Sequence, residues 1–167
     1  MMHLRDVTKE ELSHLPTGRP FYKEGFDVSV SHKHGLREAR AVASPYRIVI
    51  DIEDLEQDIH TELFMQYIVS ERERDAFHAF CSEHSFSRRE GVIAFWSMKE
   101  SFFKAMDHHL FMNKLYILHA DTERIVFDFG EDIREQLLAK KLELAGASFS
   151  RKGRYFFSQV LFKGAES

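Results

Sequence analysis

The sequence predicts a single α+β domain, and three observations carry that prediction. Apolar and polar residues alternate with a period of two across residues 26–31 and 47–53. The spacing turns helical between residues 55 and 106, and residues 144–162 read as a strand hairpin. Strands in one run, then helices, then strands again indicate segregated elements rather than repeated βαβ units. The chain of 167 residues is 44% hydrophobic and holds 16 Phe, enough apolar area for a real core and too much for a disordered chain. A formal net charge of -4 argues against a sequence-independent binder of nucleic acid, which needs a basic surface. Cys81 is the only cysteine, so an intrachain disulfide and a multi-cysteine metal centre are excluded and a reducing, cytoplasmic setting is expected. No apolar run is long enough to span a bilayer as a helix, and no membrane partner is expected.

Thr8 and Glu11 form a capping-box pattern that predicts a short helix over residues 8–14, after which Pro16, Gly18 and Pro20 interrupt regular structure. Strands are predicted over residues 26–31 (FDVSVS), 39–43 and 47–53 (RIVIDIE). The charged segment 33–38 reads as a loop, and Ser44-Pro45-Tyr46 as a turn. Helices follow over residues 55–68, from Ser70 to about residue 81 with Glu73 closing a second capping box, and over residues 88–106. The third carries Val92, Phe95, Trp96, Phe102, Phe103 and Met106 as a broad apolar stripe. Two short strands (114–118 and 124–129), a helix (131–141) and a hairpin (144–162) turning near residues 151–153 complete the chain.

Asp51 and Glu53 are two apart on a predicted strand and therefore share a face, with Ile50 and Ile52 turned to the opposite, buried side. Such a pair suits a hard divalent cation, and it equally suits the solvated end of a strand beside Asp54 and Glu56. Trp96, Glu100 and Lys104 recur at four-residue spacing, so an aromatic, a carboxylate and an ammonium form a column on the third helix with Lys99 beside it. Glu100 could complete an oxygen-rich site with Lys104 stabilising phosphate charge; Glu100 and Lys104 could also be an ordinary surface ion pair. Ser31-His32 ends a strand where a hydroxyl and an imidazole could meet a phosphate. Glu73 is placed either as a general base or as the capping residue that its distance from Ser70 explains. The ten histidines show no zinc spacing.

Four blocks in order, Gly18-Arg19-Pro20, the strand ending in Ser31-His32, IVIDIE at 48–53 and FWSMKESFFKA at 95–105, resemble the 4'-phosphopantetheinyl transferases of the surfactin-type group. That group's pattern runs Gly-Lys-Pro, Ser-His, Gly-Ile-Asp-x-Glu, Trp-x-x-Lys-Glu-x-x-x-Lys. The resemblance implies an antiparallel sheet packed on a long helix, with residues 1–54 the remnant of a first pseudo-repeat and 55–167 a second. It implies transfer of the phosphopantetheine arm of coenzyme A to a serine of an apo acyl or peptidyl carrier protein, with magnesium bridging the pyrophosphate. By position, the resemblance makes Asp51, Glu53 and Glu100 metal ligands, and Glu73 a base. It also gives coenzyme A contacts to Arg19, Ser31, His32, Lys99 and Lys104, the last with a catalytic role, and leaves Trp96 as packing.

Three features depart from the family pattern. Val49 stands where the family has Gly, Asp107-His108-His109 follows the lysine block in place of a Gly-rich turn, and only 17 residues precede Gly18. Too little cover for the strands at 26–53 makes a homo-oligomer or a separately encoded partner an expectation. A non-catalytic homologue that binds a carrier protein, coenzyme A or another protein is the alternative reading, and a magnesium-dependent nuclease or phosphohydrolase a third.

Overall fold

The computed structural model describes residues 4–106 and 112–164, so the Asp107-His108-His109 departure lies outside the described residues. Strands β1 (Leu4–Asp6), β2 (Ser13–His14), β3 (Pro20–Phe21), β4 (Phe26–Lys33), β5 (Leu36–Ala43) and β6 (Tyr46–Asp54) come first. Helices α1 (Thr61–Ile68), α2 (Arg74–Glu83) and α3 (Arg88–Phe103) follow. Strands β7 (Leu115–Ala120) and β8 (Ile125–Phe129), helix α4 (Glu131–Ala139), and strands β9 (Leu142–Lys152) and β10 (Tyr155–Gly164) end the chain.

The central sheet is β6-β10-β9, wholly antiparallel, and α3 lies across one of its faces. Its other face is met by the N-terminal sheet β1-β5-β4. The predicted α+β class and the antiparallel sheet on a long helix are therefore observed. The core explains why α3 is where it is. Phe95, Met98, Phe102 and Phe103 are buried, and phenylalanine rings of the helix meet those of the sheet and its neighbours, as in Phe102 with Phe162 (5.5 Å) and Phe95 with Phe80 (5.5 Å), which in turn meets Phe149 (5.5 Å). Each buried Phe is worth about 1.5–3 kcal/mol of apolar burial. Val49 packs into this same core, paired across the sheet with Val160, which accounts for a β-branched residue at that position.

α3 starts with a capping box formed by Ser87 and Glu90. Ser87 Oγ accepts from the Glu90 N–H at 3.1 Å and Glu90 Oε1 from the Ser87 N–H at 2.9 Å. One turn in, Gly91 permits the approach of α2: a Cβ there meets Cys81 Sγ at 2.3 Å and the Phe77 ring at 3.0 Å. Gly91→Ala is expected to lose about 1–2 kcal/mol in urea unfolding, the overpacking cost exceeding the gain in helix propensity. Unchanged stability would mean that α2 yields freely.

Some local expectations are corrected. The helix predicted at residues 8–14 is a single 3-10 turn, Lys9–Glu11, followed by the short strand β2. The loop predicted at 33–38 is a tight hairpin, because His34 (φ 50°) and Gly35 (φ 81°) both take the left-handed conformation and let β4 and β5 pair up to Lys33 and Leu36. The helix predicted from residue 55 begins at Thr61, capped by His60 Nδ1 accepting from the Leu63 N–H at 3.2 Å.

β4 is attached to β6 in an unusual way. The Ile48, Ile50 and Ile52 N–H groups donate to Asp27 Oδ2 (2.9 Å), Ser29 Oγ (3.1 Å) and Ser31 Oγ (3.2 Å). Three side chains on one face of β4 thus replace a backbone ladder along that edge of β6. Burial pushes the Asp27 carboxyl above its ordinary value, against the pull of the Ile48 N–H and the Arg19 charge. Beneath the ladder, Val42, Ile48, Ile50 and Leu161 form a small apolar cluster, and Arg40 Nη1 donates to Gln159 Oε1 at 2.7 Å. On its far face the N-terminal sheet is covered by Val7, with Leu12, Tyr22 and Phe26 packed against it.

Candidate functional site

β6 turns Val49 and Asp51 toward α3 and the segment after it, and packs Ile48 and Ile50 with Val42 of β5 on the opposite face, while its backbone N–H groups meet β4. Both faces of the strand are therefore covered, and neither carboxylate sits on a solvated strand end: Asp51 is 4% exposed and Glu53 8%. Lys104, just past the end of α3, donates from Nζ to Asp51 Oδ1 at 2.6 Å, so its partner is Asp51 across the cleft. Glu53 Oε2 pairs with Lys33 Nζ at 3.1 Å. Loss of hydration raises the Glu53 carboxyl above its ordinary value, the Asp51 charge adds to the rise, and Lys33 and Lys104 oppose it. Asp51 Oδ2 is buried and makes no hydrogen bond.

This oxygen is the test of whether the residues fit a metal. A buried carboxylate oxygen without a donor is costly, and two carboxylates on one strand face repel each other. A hard divalent cation relieves both, so the donor set suits magnesium. Glu100 is half-buried on α3, one turn before Lys104. Among the described residues no three His, Cys, Asp or Glu side chains are gathered as a ready-made metal cluster.

Glu73 and Lys99 are placed elsewhere. Both side chains are fully buried and pair at 2.7 Å. Lys99 Nζ also donates to the Ile68 carbonyl and, at 3.0 Å, to that of Met112. Glu73 accepts from the Ser70 N–H (3.1 Å), the Ser70 hydroxyl (3.0 Å) and the Ile117 N–H (2.9 Å). Burial pulls the Lys99 ammonium below its ordinary value, with the Glu73 carboxylate opposing. A base and a phosphate ligand must touch a solute, and groups with no exposure and a full set of protein partners do not. The capping reading of Glu73 is realised; the base role for Glu73 and the phosphate contact for Lys99 are corrected on that ground.

Of the coenzyme A contacts implied by resemblance, Lys104 is brought to the carboxylate pair, while the remaining three are engaged elsewhere. Ser31 is spent in the β4 to β6 ladder, Arg19 is exposed and pairs with Asp27 at 3.3 Å, and His32 lines a cleft with Thr8, Lys9 and Arg37 on the outer side of β4. Trp96 packs edge-on against Phe64 at 6.4 Å and against the main core, as a packing residue does. The residue missed was Lys33, assigned to a loop. The signal was present: the alternation Asp27, Ser29, Ser31 continues to 33, which places Lys33 on the face that meets β6. Asp54 was missed as well. It is 1% exposed, takes two hydrogen bonds from Arg154, and lies 3.3 Å from His34 Nε2, tying the ends of β6, β10 and the hairpin together.

The sequence pattern described as the 4'-phosphopantetheinyl transferase superfamily matches residues 47–153, from the start of β6 to the β9–β10 turn, with β4 and β5 outside it. The fold is similar to that of a holo-ACP-synthase from Plasmodium yoelii, with a TM-score of 0.55 and 16% identity over 74% of this chain and 100% of that one. It is also similar to a holo-[acyl-carrier-protein] synthase from Neisseria meningitidis, with a TM-score of 0.54 and 17% identity over 70% of this chain and 96% of that one. No curated protein matches the chain. No helix among the described residues is long and apolar enough to cross a membrane.

Proposed function

Because the chain belongs to the 4'-phosphopantetheinyl transferase superfamily, we propose that it transfers the 4'-phosphopantetheine arm of coenzyme A to a serine of an apo acyl or peptidyl carrier protein. The observation that carries this reading is the buried Asp51 and Glu53 pair with its unpartnered Asp51 oxygen, set against Lys104 inside the family-matched segment. Asp51, Glu53 and Glu100 would hold a magnesium ion, which when bound would neutralise pyrophosphate charge. Lys104 is 39% exposed on its side chain, so its ammonium reaches solute while remaining beside Asp51 and places a second positive charge at the phosphates. The serine oxygen forms the new bond to phosphorus, the bond to the adenosine bisphosphate breaks, and the serine proton leaves to solvent or to a carboxylate. Glu73 and Lys99 act as positioning residues, fixing α3 and with it Glu100 and Lys104.

The test is intact-mass spectrometry of an apo acyl carrier protein incubated with this chain, coenzyme A and magnesium. A phosphopantetheine mass gain is expected, slowed at least about a hundredfold by Asp51→Asn. No gain with several carrier proteins from folded protein favours the non-catalytic homologue, for which Lys33 and Lys104 already neutralising both carboxylates is the supporting observation.

A further inference from the structure

We propose that Lys33, carried by a strand outside the family-matched segment, is a built-in competitor for the metal position at Glu53, so that cation binding must displace its ammonium. The inference rests on the reading of Asp51 and Glu53 as metal ligands. Lys33 is held in place from both sides. Two residues earlier Ser31 bonds the β6 backbone, and two residues later the left-handed pair His34-Gly35 has already turned the chain, so the side chain projects along the β6 face to reach Glu53 at 3.1 Å. With Lys104 on Asp51, the four groups form two ion pairs and the site is locally neutral before any ion arrives. A divalent cation entering between the carboxylates makes the same group strongly positive, and the ammonium with 28% of its side chain exposed is driven outward. Displaced, it is a free positive charge beside the site, available to an anionic substrate. Lys33 thereby weakens binding of the free ion and adds a positive charge once an anionic substrate is present, making the two ligands favour each other.

The experiment is titration with Mn²⁺ alone, followed by electron paramagnetic resonance, on the parent chain, Lys33→Met, Lys33→Arg and Asp51→Asn, each verified as folded by circular dichroism. Lys33→Met is expected to bind Mn²⁺ roughly threefold to tenfold more tightly than the parent, Lys33→Arg to restore weak binding, and Asp51→Asn to lose the site. A merely structural Lys33 predicts equal or weaker binding in Lys33→Met, and that result overturns the proposal while leaving the metal reading intact if Asp51→Asn still loses the ion. Equal binding by the parent and Asp51→Asn means no metal site at Asp51, and removes both.

Discussion

Replacing Lys99 with Met is expected to cost about 3–5 kcal/mol in equilibrium unfolding, because it strands the Glu73 carboxylate at zero exposure with its charge uncompensated. Two carbonyls, of Ile68 and Met112, lose their donor at the same time. The double variant Lys99→Met with Glu73→Gln is expected to recover a large part of that loss, since a neutral amide oxygen still accepts from the Ser70 and Ile117 N–H groups. Denaturant melts of the parent, the single variant and the double variant measure the coupling. A single variant within 1 kcal/mol of the parent would sink the assignment of this pair as the clamp of α3.

Ser29→Ala combined with Ser31→Ala is expected to loosen the N-terminal sheet without unfolding the rest. It leaves the Ile50 and Ile52 N–H groups without acceptors, at about 1–3 kcal/mol each. The Val42, Ile48, Ile50 and Leu161 cluster and the Arg40 to Gln159 bond remain, so the sheet stays docked but opens more often. Amide hydrogen exchange at residues 50 and 52 should accelerate by roughly tenfold or more, while protection along α3 is unchanged. Exchange that is unchanged at both amides would show that the hydroxyls are not what hold this edge.

The elements that could be read from the sequence are those in which one periodicity acts alone. α3 carries its apolar residues at helical spacing, β6 alternates over residues 47–53, and β10 carries short apolar runs after a glycine turn, so their class and approximate bounds were evident. The Asp51 and Glu53 face was legible as a shared face but not as a buried one, because burial of β6 on both sides depends on β4 arriving from 21 residues away. The same dependence hid Lys33: a His-Lys-His run followed by a glycine looks like a loop until the left-handed turn at His34 and Gly35 is known. Glu73 and Lys99 misled in the opposite sense. Charged residues suggest a surface, and only the convergence of α1, α2, α3 and β7 makes a dry pocket in which each is the other's partner. Family resemblance located the right strand and helix; it did not tell which lysine turns inward and which faces the cleft.

The side-chain ladder also bears on how the molecule behaves among its own copies. A strand whose outer amides are unpaired is a template for another strand, and long apolar strands with open edges drive association into sheets. β6 carries Ile48, Val49, Ile50 and Ile52 within five positions, so an open edge there would be hazardous at high concentration. Two hydroxyls and a carboxylate occupy those amides, and the strand that brings them offers its own polar side chains in place of a backbone rung. Growth of the sheet in that direction therefore ends at β4 by chemistry rather than by steric cover, a solubility device made from three small residues at every second position.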